Sequence, residues 1–449
     1  MTAWDKDYLI CLIFLLIGVW ERVFHVDGMK LLELESRLCF NFLWEQVNSN
    51  PQSPGYGLIV DSTSQPEVAS IASVGFGLSA IPIGIERGWI THFEGYERVL
   101  GTLNTLINNV ENHRGFYAHF VDMETGKRLN NCEYSTIDTA ILINGAICVG
   151  EYFDGRIREL AEILYRRVDW NFIVDKENDW FYMHYWPEIY PGGHTGLGCQ
   201  WDYFAEQLMM YILGAGSPTS RTGPELYYKM GKLTGEYKGE IYIRGWYNSL
   251  FIHQFSHAWF DSARYVDRDG INWFSNSIKA TLANRQYCID NPEGFRTYQA
   301  NAWGLTACVG PNGYCGRYGT LPSGIVDEVN NNDGTVPICG PAGSMPFTPQ
   351  ESTEALLYTY ENYPRLWGKY GFYDSYNLDQ PEPWFPQEYI GINKGITLLM
   401  IENYFSGLVW DLYMKNQYVR DGLKTLMFRE ITKDKEQPDC SINTSLKTA

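Results

Sequence analysis

Helix-period hydrophobic segments recur along the whole chain in two kinds, and this limits the fold more than any other feature. Segment 31–44 carries Leu31, Leu34, Leu38 and Phe42 on one stripe. Segment 93–110 carries Tyr96, Val99, Leu100, Leu103, Leu106 and Ile107. Helices of this kind bury one face and wet the other. Segment 136–149 is instead apolar nearly all round and reads as a helix enclosed by others. Segments 157–168, 203–213, 273–287, 351–360 and 396–414 complete the clear cases. Alternation of period two is scarce, and 240–244 is one strand candidate. The connections at 190–198, 311–346 and 374–387 are long and rich in Gly, Pro, Asn and Asp; loops of that length inside a compact domain usually carry function. Inner and amphipathic helices in alternation, joined by long loops, predict an α/α toroid, although a tandem helical bundle shares the same periodicity.

The two most telling segments put acids where a buried helix begins: Ser135-Thr136-Ile137-Asp138-Thr139-Ala140 and Trp201-Asp202-Tyr203-Phe204-Ala205-Glu206. A charged carboxylate is costly to desolvate, so an acid in such surroundings is paired, ligated or chemically used. Aromatic residues make up 15% of the chain, with 15 Trp and 32 Tyr, enough to supply ring faces for stacking on sugars as well as a core. Paired carboxyl groups in an aromatic-rich chain point to glycoside chemistry. The formal charge of −18 disfavours nucleic acid and anionic lipid as partners and suits a neutral saccharide. Ten cysteines without a Cys-x-x-Cys pair read as free thiols of a reducing compartment. There is no phosphate-binding loop, dinucleotide fingerprint or Gly-x-Ser-x-Gly elbow, so the chain needs no organic cofactor. Residues 1–28 hold an apolar run, 8–20, preceded by Asp5, Lys6 and Asp7. It reads as a core-packed helix in a cytoplasmic protein, or as a weak export signal in a periplasmic or secreted one, and it is short for a membrane span. Residues 29–430 then form one catalytic domain and 431–449 a tail.

A series of short motifs in fixed order gives the chain a resemblance. They include Gly57-Leu58-Ile59-Val60-Asp61, Glu86-Arg87-Gly88-Trp89-Ile90, Gly115-Phe116-Tyr117-Ala118-His119-Phe120 and Gly214-Ala215-Gly216-Ser217-Pro218. His253-Gln254-Phe255-Ser256-His257-Ala258-Trp259-Phe260-Asp261, Trp303-Gly304-Leu305-Thr306-Ala307 and Leu366-Trp367-Gly368-Lys369-Tyr370-Gly371-Phe372 follow. With these, the chain resembles the glucoamylase-like family of bacterial carbohydrate enzymes, known in part as glycoside hydrolase family 144. The resemblance implies a single (α/α)6 barrel and inverting hydrolysis of β-1,2-glucans, by endo cleavage or by release of sophorose. It leaves two alternatives, since related domains of cyclic β-1,2-glucan synthases transglycosylate and a non-catalytic glucan-binding protein would share the cleft. Where many relatives read Ile-Asp-Gln-Gly-Pro, this chain reads Ile392-Asn393-Lys394-Gly395-Ile396. That exchange of an acid for an amide, with an added cation, implies altered specificity or reduced activity.

Glu206, among Phe204, Leu208 and Met209, is the candidate general acid, because apolar neighbours raise a carboxyl pKa. Asp138 is the candidate partner carboxylate and Asp61 the next; a helix cap for the first and a turn for the second are their structural alternatives. His253 and His257 stand four residues apart but lack the intervening Glu and third ligand of a metal site. With Asp261 they are expected to bind sugar hydroxyls, and Trp259 to form a stacking wall. Arg87, Trp201, Trp303, Tyr314 and Glu402 are further expected substrate contacts.

Overall fold

The computed structural model describes residues 27–189, 193, 195–324 and 330–431. Its helices, in chain order, are α1 (Gly28–Glu45), α2 (Ile71–Glu86), α3 (His92–Asn108), α4 (Thr136–Phe153), α5 (Gly155–Arg167), α6 (Leu208–Gly216), α7 (Glu225–Lys229), α8 (Trp273–Asp290), α9 (Cys339–Gly343), α10 (Pro349–Asn362), α11 (Gly391–Phe405), α12 (Leu408–Lys415) and α13 (Gln417–Thr425). The predicted alternation is present. In α2 every residue from Ile71 to Gly84 is buried, and α6 and α9 are buried throughout. By contrast, α5 buries only Ile157, Leu160, Ala161, Leu164 and Tyr165, one stripe of helical spacing.

The enclosed elements neighbour one another. Helix α4 packs on α2 and α6, α2 packs on α11, and α11 packs on α9 and on the 3-10 turn Phe255–Ala258. The Ser256 hydroxyl accepts from Met209 N at 3.1 Å and so joins that turn to α6. Amphipathic helices cover this inner layer: α1 lies against α2 and α11, and α3 against α5. The closest crossing is between α2 and α4. A Cβ on Gly145 would stand 2.1 Å from Gly75 O, and one on Gly75 would stand 2.5 Å from Ile141 O, so glycine is required for backbone to meet backbone.

Two expected helices need correction, and one helix went unread. Helix α2 escaped the periodicity reading because Gly75, Gly77, Pro82 and Gly84 interrupt it. The segment expected as a helix over 203–213 begins only at Leu208, which leaves Glu206 on the loop before the helix. The one expected over 396–414 breaks into α11 and α12 at Gly407, whose φ of 72° no helix accommodates. The strand at Glu240–Ile243 is present and pairs with Thr234–Tyr237. A larger sheet joins Tyr134–Ser135, Trp180–Trp186, Val174–Asp175 and Gly196–Gln200. The apolar run 8–20 and the tail after 431 lie outside the described residues. Among those described, no helix is long and apolar enough to cross a membrane.

Candidate active site

The N-terminal ends of the inner helices open at one end of the molecule. Ser70 caps α2 and Ser135 caps α4, each side chain accepting from the backbone N–H three residues on. Gly391 N, at the start of α11, donates to Asp61 O at 2.7 Å, and His119 O accepts from Ile71 N at 3.2 Å. Chain segments around 61, 119, 135 and 390 are therefore laced together around one mouth. Glu206 reaches the same place from the loop before α6. Its carbonyl accepts from the Ser256 hydroxyl at 2.6 Å, and Gln207 ties the loop to Ala205 N and Tyr203 O.

The acids of this mouth are electrostatically coupled. Burial raises the Glu206 carboxyl to about 7, and the charge of Asp138 adds to the rise. Burial raises Asp61 to about 6; His119 opposes this, while Asp138 and Glu388 reinforce it. His119 is the cation of the cluster. Its Nδ1 lies 2.8 Å from Glu133 Oε1 and its Nε2 lies 3.8 Å from Asp138 Oδ2. Burial pulls its pKa down, but Asp138, Glu133 and Asp61 outweigh that and lift it to about 9. Glu388 accepts from the hydroxyls of Ser62 and Ser64 on the Asp61 loop. Sequence reasoning quoted His119 only as part of a motif and passed over Glu133, Glu388 and Asp374. Glu133 adjoins the motif that carries Asp138, whereas Asp374 and Glu388 come to the cluster from a distant part of the chain.

Asn393 and Lys394 prove to be internal. Asn393 Nδ2 donates to Asp374 Oδ1 at 2.7 Å, and Val309 N donates to Oδ2 at 2.7 Å. Burial lifts Asp374 to about 6. Lys394 Nζ lies 2.8 Å from Glu35 Oε1 on α1, and Phe372 N donates to the other Glu35 oxygen at 3.0 Å. The added cation is thus paired with Glu35 inside the protein, and its charge also acts on Asp374.

Several expected substrate contacts lie elsewhere. Arg87 follows the last residue of α2, about 24 Å from the helix start at about 1.5 Å per residue, and pairs at 2.9 Å with Glu402 near the end of α11. That ion pair closes the opposite end. His257 is fully buried; its Nδ1 lies 2.6 Å from Ser262 Oγ and its Nε2 3.0 Å from Ser277 Oγ. His253 is buried beside Asn248, and burial holds both imidazoles neutral, down to about 3. Asp261, also buried, faces Arg264 and lies near Asp411 of α12. Trp259 is enclosed, with its Nε1 donating to Ser79 at 2.8 Å, and Trp303 is enclosed too. None of these presents a face to a sugar. Trp201 touches the mouth from below, donating to Thr136 Oγ1 at 3.2 Å. Tyr314 stands 53% exposed on the hairpin Cys308–Gly310/Gly313–Cys315, near Asp374 and Asp61.

An α/α layering with carboxyl groups gathered at the starts of its inner helices defines a protein of the glucoamylase-like class. The family model described as "Putative glucoamylase" matches residues 198–417. A crystal structure described as a "putative glucoamylase" from Bacteroides uniformis ATCC 8492 is 31% identical and covers 90% of this chain and 98% of its own, with a TM-score of 0.79. The chain therefore belongs to the glucoamylase-like family. An endo-β-1,2-glucanase from Chitinophaga pinensis, solved with sophorotriose and glucose, is 26% identical over 90% of this chain and 99% of its own, with a TM-score of 0.78. An exo β-1,2-glucooligosaccharide sophorohydrolase (non-reducing end) of Parabacteroides distasonis is 28% identical over 437 residues, 88% of this chain. The chain spans 58% of that relative's length.

Proposed function

We propose that the protein hydrolyses β-1,2-linked glucans or their oligosaccharides, by endo cleavage or release of sophorose, and that its paired helices close into an (α/α)6 barrel with the substrate cleft at the mouth described above. One observation carries the reading: a carboxyl group that keeps its proton up to about pH 7, Glu206, is coupled to the charge of Asp138, which faces the His119 cation. Environments that hold neighbouring carboxyl groups in different states divide the acid and base roles between them. Glu206 gives its proton to the leaving glycosidic oxygen as the bond to the anomeric carbon breaks. Asp138 takes a proton from the attacking water, and Asp61 shares its field; attack from the opposite face inverts the anomeric centre. The relatives' glucan substrates support the choice of linkage.

The test is incubation of the purified protein with linear β-1,2-glucan, with products resolved by chromatography, beside Glu206→Gln. Sophorose or a ladder of oligosaccharides, absent with the variant, is the expected result. Wild-type protein that binds the glucan but releases no product overturns the hydrolase reading.

A further inference from the structure

The hairpin Cys308–Gly310/Gly313–Cys315 reverses at Pro311-Asn312 and pairs Gly310 with Gly313, Val309 with Tyr314 and Cys308 with Cys315. Its two strands are held differently. The inner strand is tied to the body of the protein at Val309, whose N–H donates to Asp374 Oδ2 at 2.7 Å and whose carbonyl accepts from the Ser375 hydroxyl. The outer strand, with Tyr314, pairs with the inner one in a two-stranded sheet. The charges of Asp374 and Asp61 act on the Tyr314 phenol, so the outer strand stands beside the acids of the mouth.

Both backbone groups of Val309 point away from the outer strand, so its neighbours Cys308 and Gly310 make the bonds of the ladder. Cys308 and Cys315 are therefore a directly opposed, hydrogen-bonded pair, for which Cα atoms stand about 5.5 Å apart. Disulfides span about 4.4–6.8 Å between Cα atoms. Opposed residues also project to the same face of the pleat, so the thiols can meet without a change of register. Both are free, and their settings differ: Cys308 is fully buried and Cys315 is partly exposed. Burial, then the charge of Asp374, pushes the Cys308 thiol well above the usual range, and Cys339 and Cys315 add to the rise. Cys308 is inert on its own account, and Cys315 is the thiol that meets a solute.

We propose that Cys308 and Cys315 form a thiol-oxidation site, at which hydrogen peroxide converts the facing pair into a reversible disulfide that ties the Tyr314 strand to the anchored one. The Cys315 sulfur attacks one peroxide oxygen. An S–O bond forms as the O–O bond breaks, and the other oxygen leaves as water with the thiol proton, giving a sulfenic acid. The Cys308 sulfur then attacks the Cys315 sulfur. The S–O bond breaks, and the hydroxyl leaves with the Cys308 proton as a second water. Two thiols are oxidised and one peroxide is reduced, so the step balances. The inference is independent of the hydrolase reading, because it needs only the register of the hairpin and the exposure of Cys315.

Trypsin supplies the test, because the peptide from Thr297 to Arg317 contains both of these cysteines, no other cysteine and no internal Lys or Arg. Folded wild-type protein is exposed to hydrogen peroxide, quenched, denatured, alkylated with iodoacetamide, digested and read by mass spectrometry. The peptide is expected to be lighter than its dithiol form by two hydrogen atoms and to take no label. Reduction with dithiothreitol before alkylation should restore two labels. Cys315→Ser should leave Cys308 fully labelled after the same exposure, because the buried thiol does not meet the oxidant by itself. Oxygen retained on Cys315 beside a labelled Cys308, or a cross-link from this peptide to that of Cys339, overturns the pair. An oxidised protein that melts below the reduced one overturns it as well, since the bond would then pull the hairpin out of register.

Discussion

His119, about a third exposed, and His257, fully buried, both lie against aromatic rings, and they are in opposite states. His257 has only hydroxyl partners, and burial drives its pKa down to about 3. His119 has Glu133, Asp138 and Asp61 around it, and their charges overcome burial to lift it to about 9. The carboxylates differ in the same way. Glu402 is held in a single ion pair with Arg87, while Glu206 is raised by burial and by the like charge of Asp138. Burial alone keeps His257 neutral, whereas burial together with neighbouring charges moves Asp61, Glu206 and His119 to about 6, 7 and 9. The comparison explains why histidine and acid spacing alone led to residues such as His257 and Glu402, which the structure buries away from the carboxyl cluster.

Glu206→Gln should have the largest effect, because it removes the transferable proton while keeping the shape. A fall of about 10²–10⁴-fold in kcat with an unchanged melting temperature is expected. Wild-type kcat/KM should be bell-shaped. It falls above about pH 7 as Glu206 loses its proton, and below about pH 6 as Asp61 gains one and its charge no longer acts on the cluster. His119→Gln sharpens the contrast, since the imidazolium holds Asp61 down. Its removal should move the acidic limb upward by about one pH unit, read from kcat/KM profiles. The stability that wild-type His119 contributes is fully present below pH 6.5 and is lost as pH rises through about 9, so the gap in melting temperature between wild type and His119→Gln should close across that window. For His257 the sign reverses, because a lowered pKa costs stability as pH falls below 6.5. The smallest effect should be at the closed end. Glu402→Gln should lose about 1–2 kcal/mol in denaturant unfolding with no change in kcat. A large catalytic loss there would break the division between the two ends.

Much of the architecture was legible in the chain. One-sided and all-round hydrophobic segments foretold α1, α3, α4, α5, α8 and α10, since burial pattern and helical period coincide in them. Helix α2 was hidden because its close contact with α4 requires glycines that weaken a helix signal. The strand Trp180–Trp186 was hidden because aromatic residues occupy both of its faces, which erases alternation. Glu206, Asp138 and Asp61 could be picked out as acids in apolar surroundings. His119, Glu133 and Glu388 could not be ranked, because their importance lies in distances between segments far apart in sequence. Trp259 and Trp303 misled for a related reason, as the identity of a tryptophan does not say whether its ring faces a cleft or a core.

The pairing of Lys394 with Glu35 has a consequence in time. More than three hundred residues separate the two, and α1 has the last inner helix as one of its partners. During synthesis Glu35 emerges early and waits without its counter-charge while most of the domain is made. Contacts of such long range are slow to form, so completion of the layer containing the acid cluster is a late event in folding. A partly synthesised chain therefore lacks the assembled mouth, and the carboxyl groups acquire their shared titration only when α1 and α11 meet.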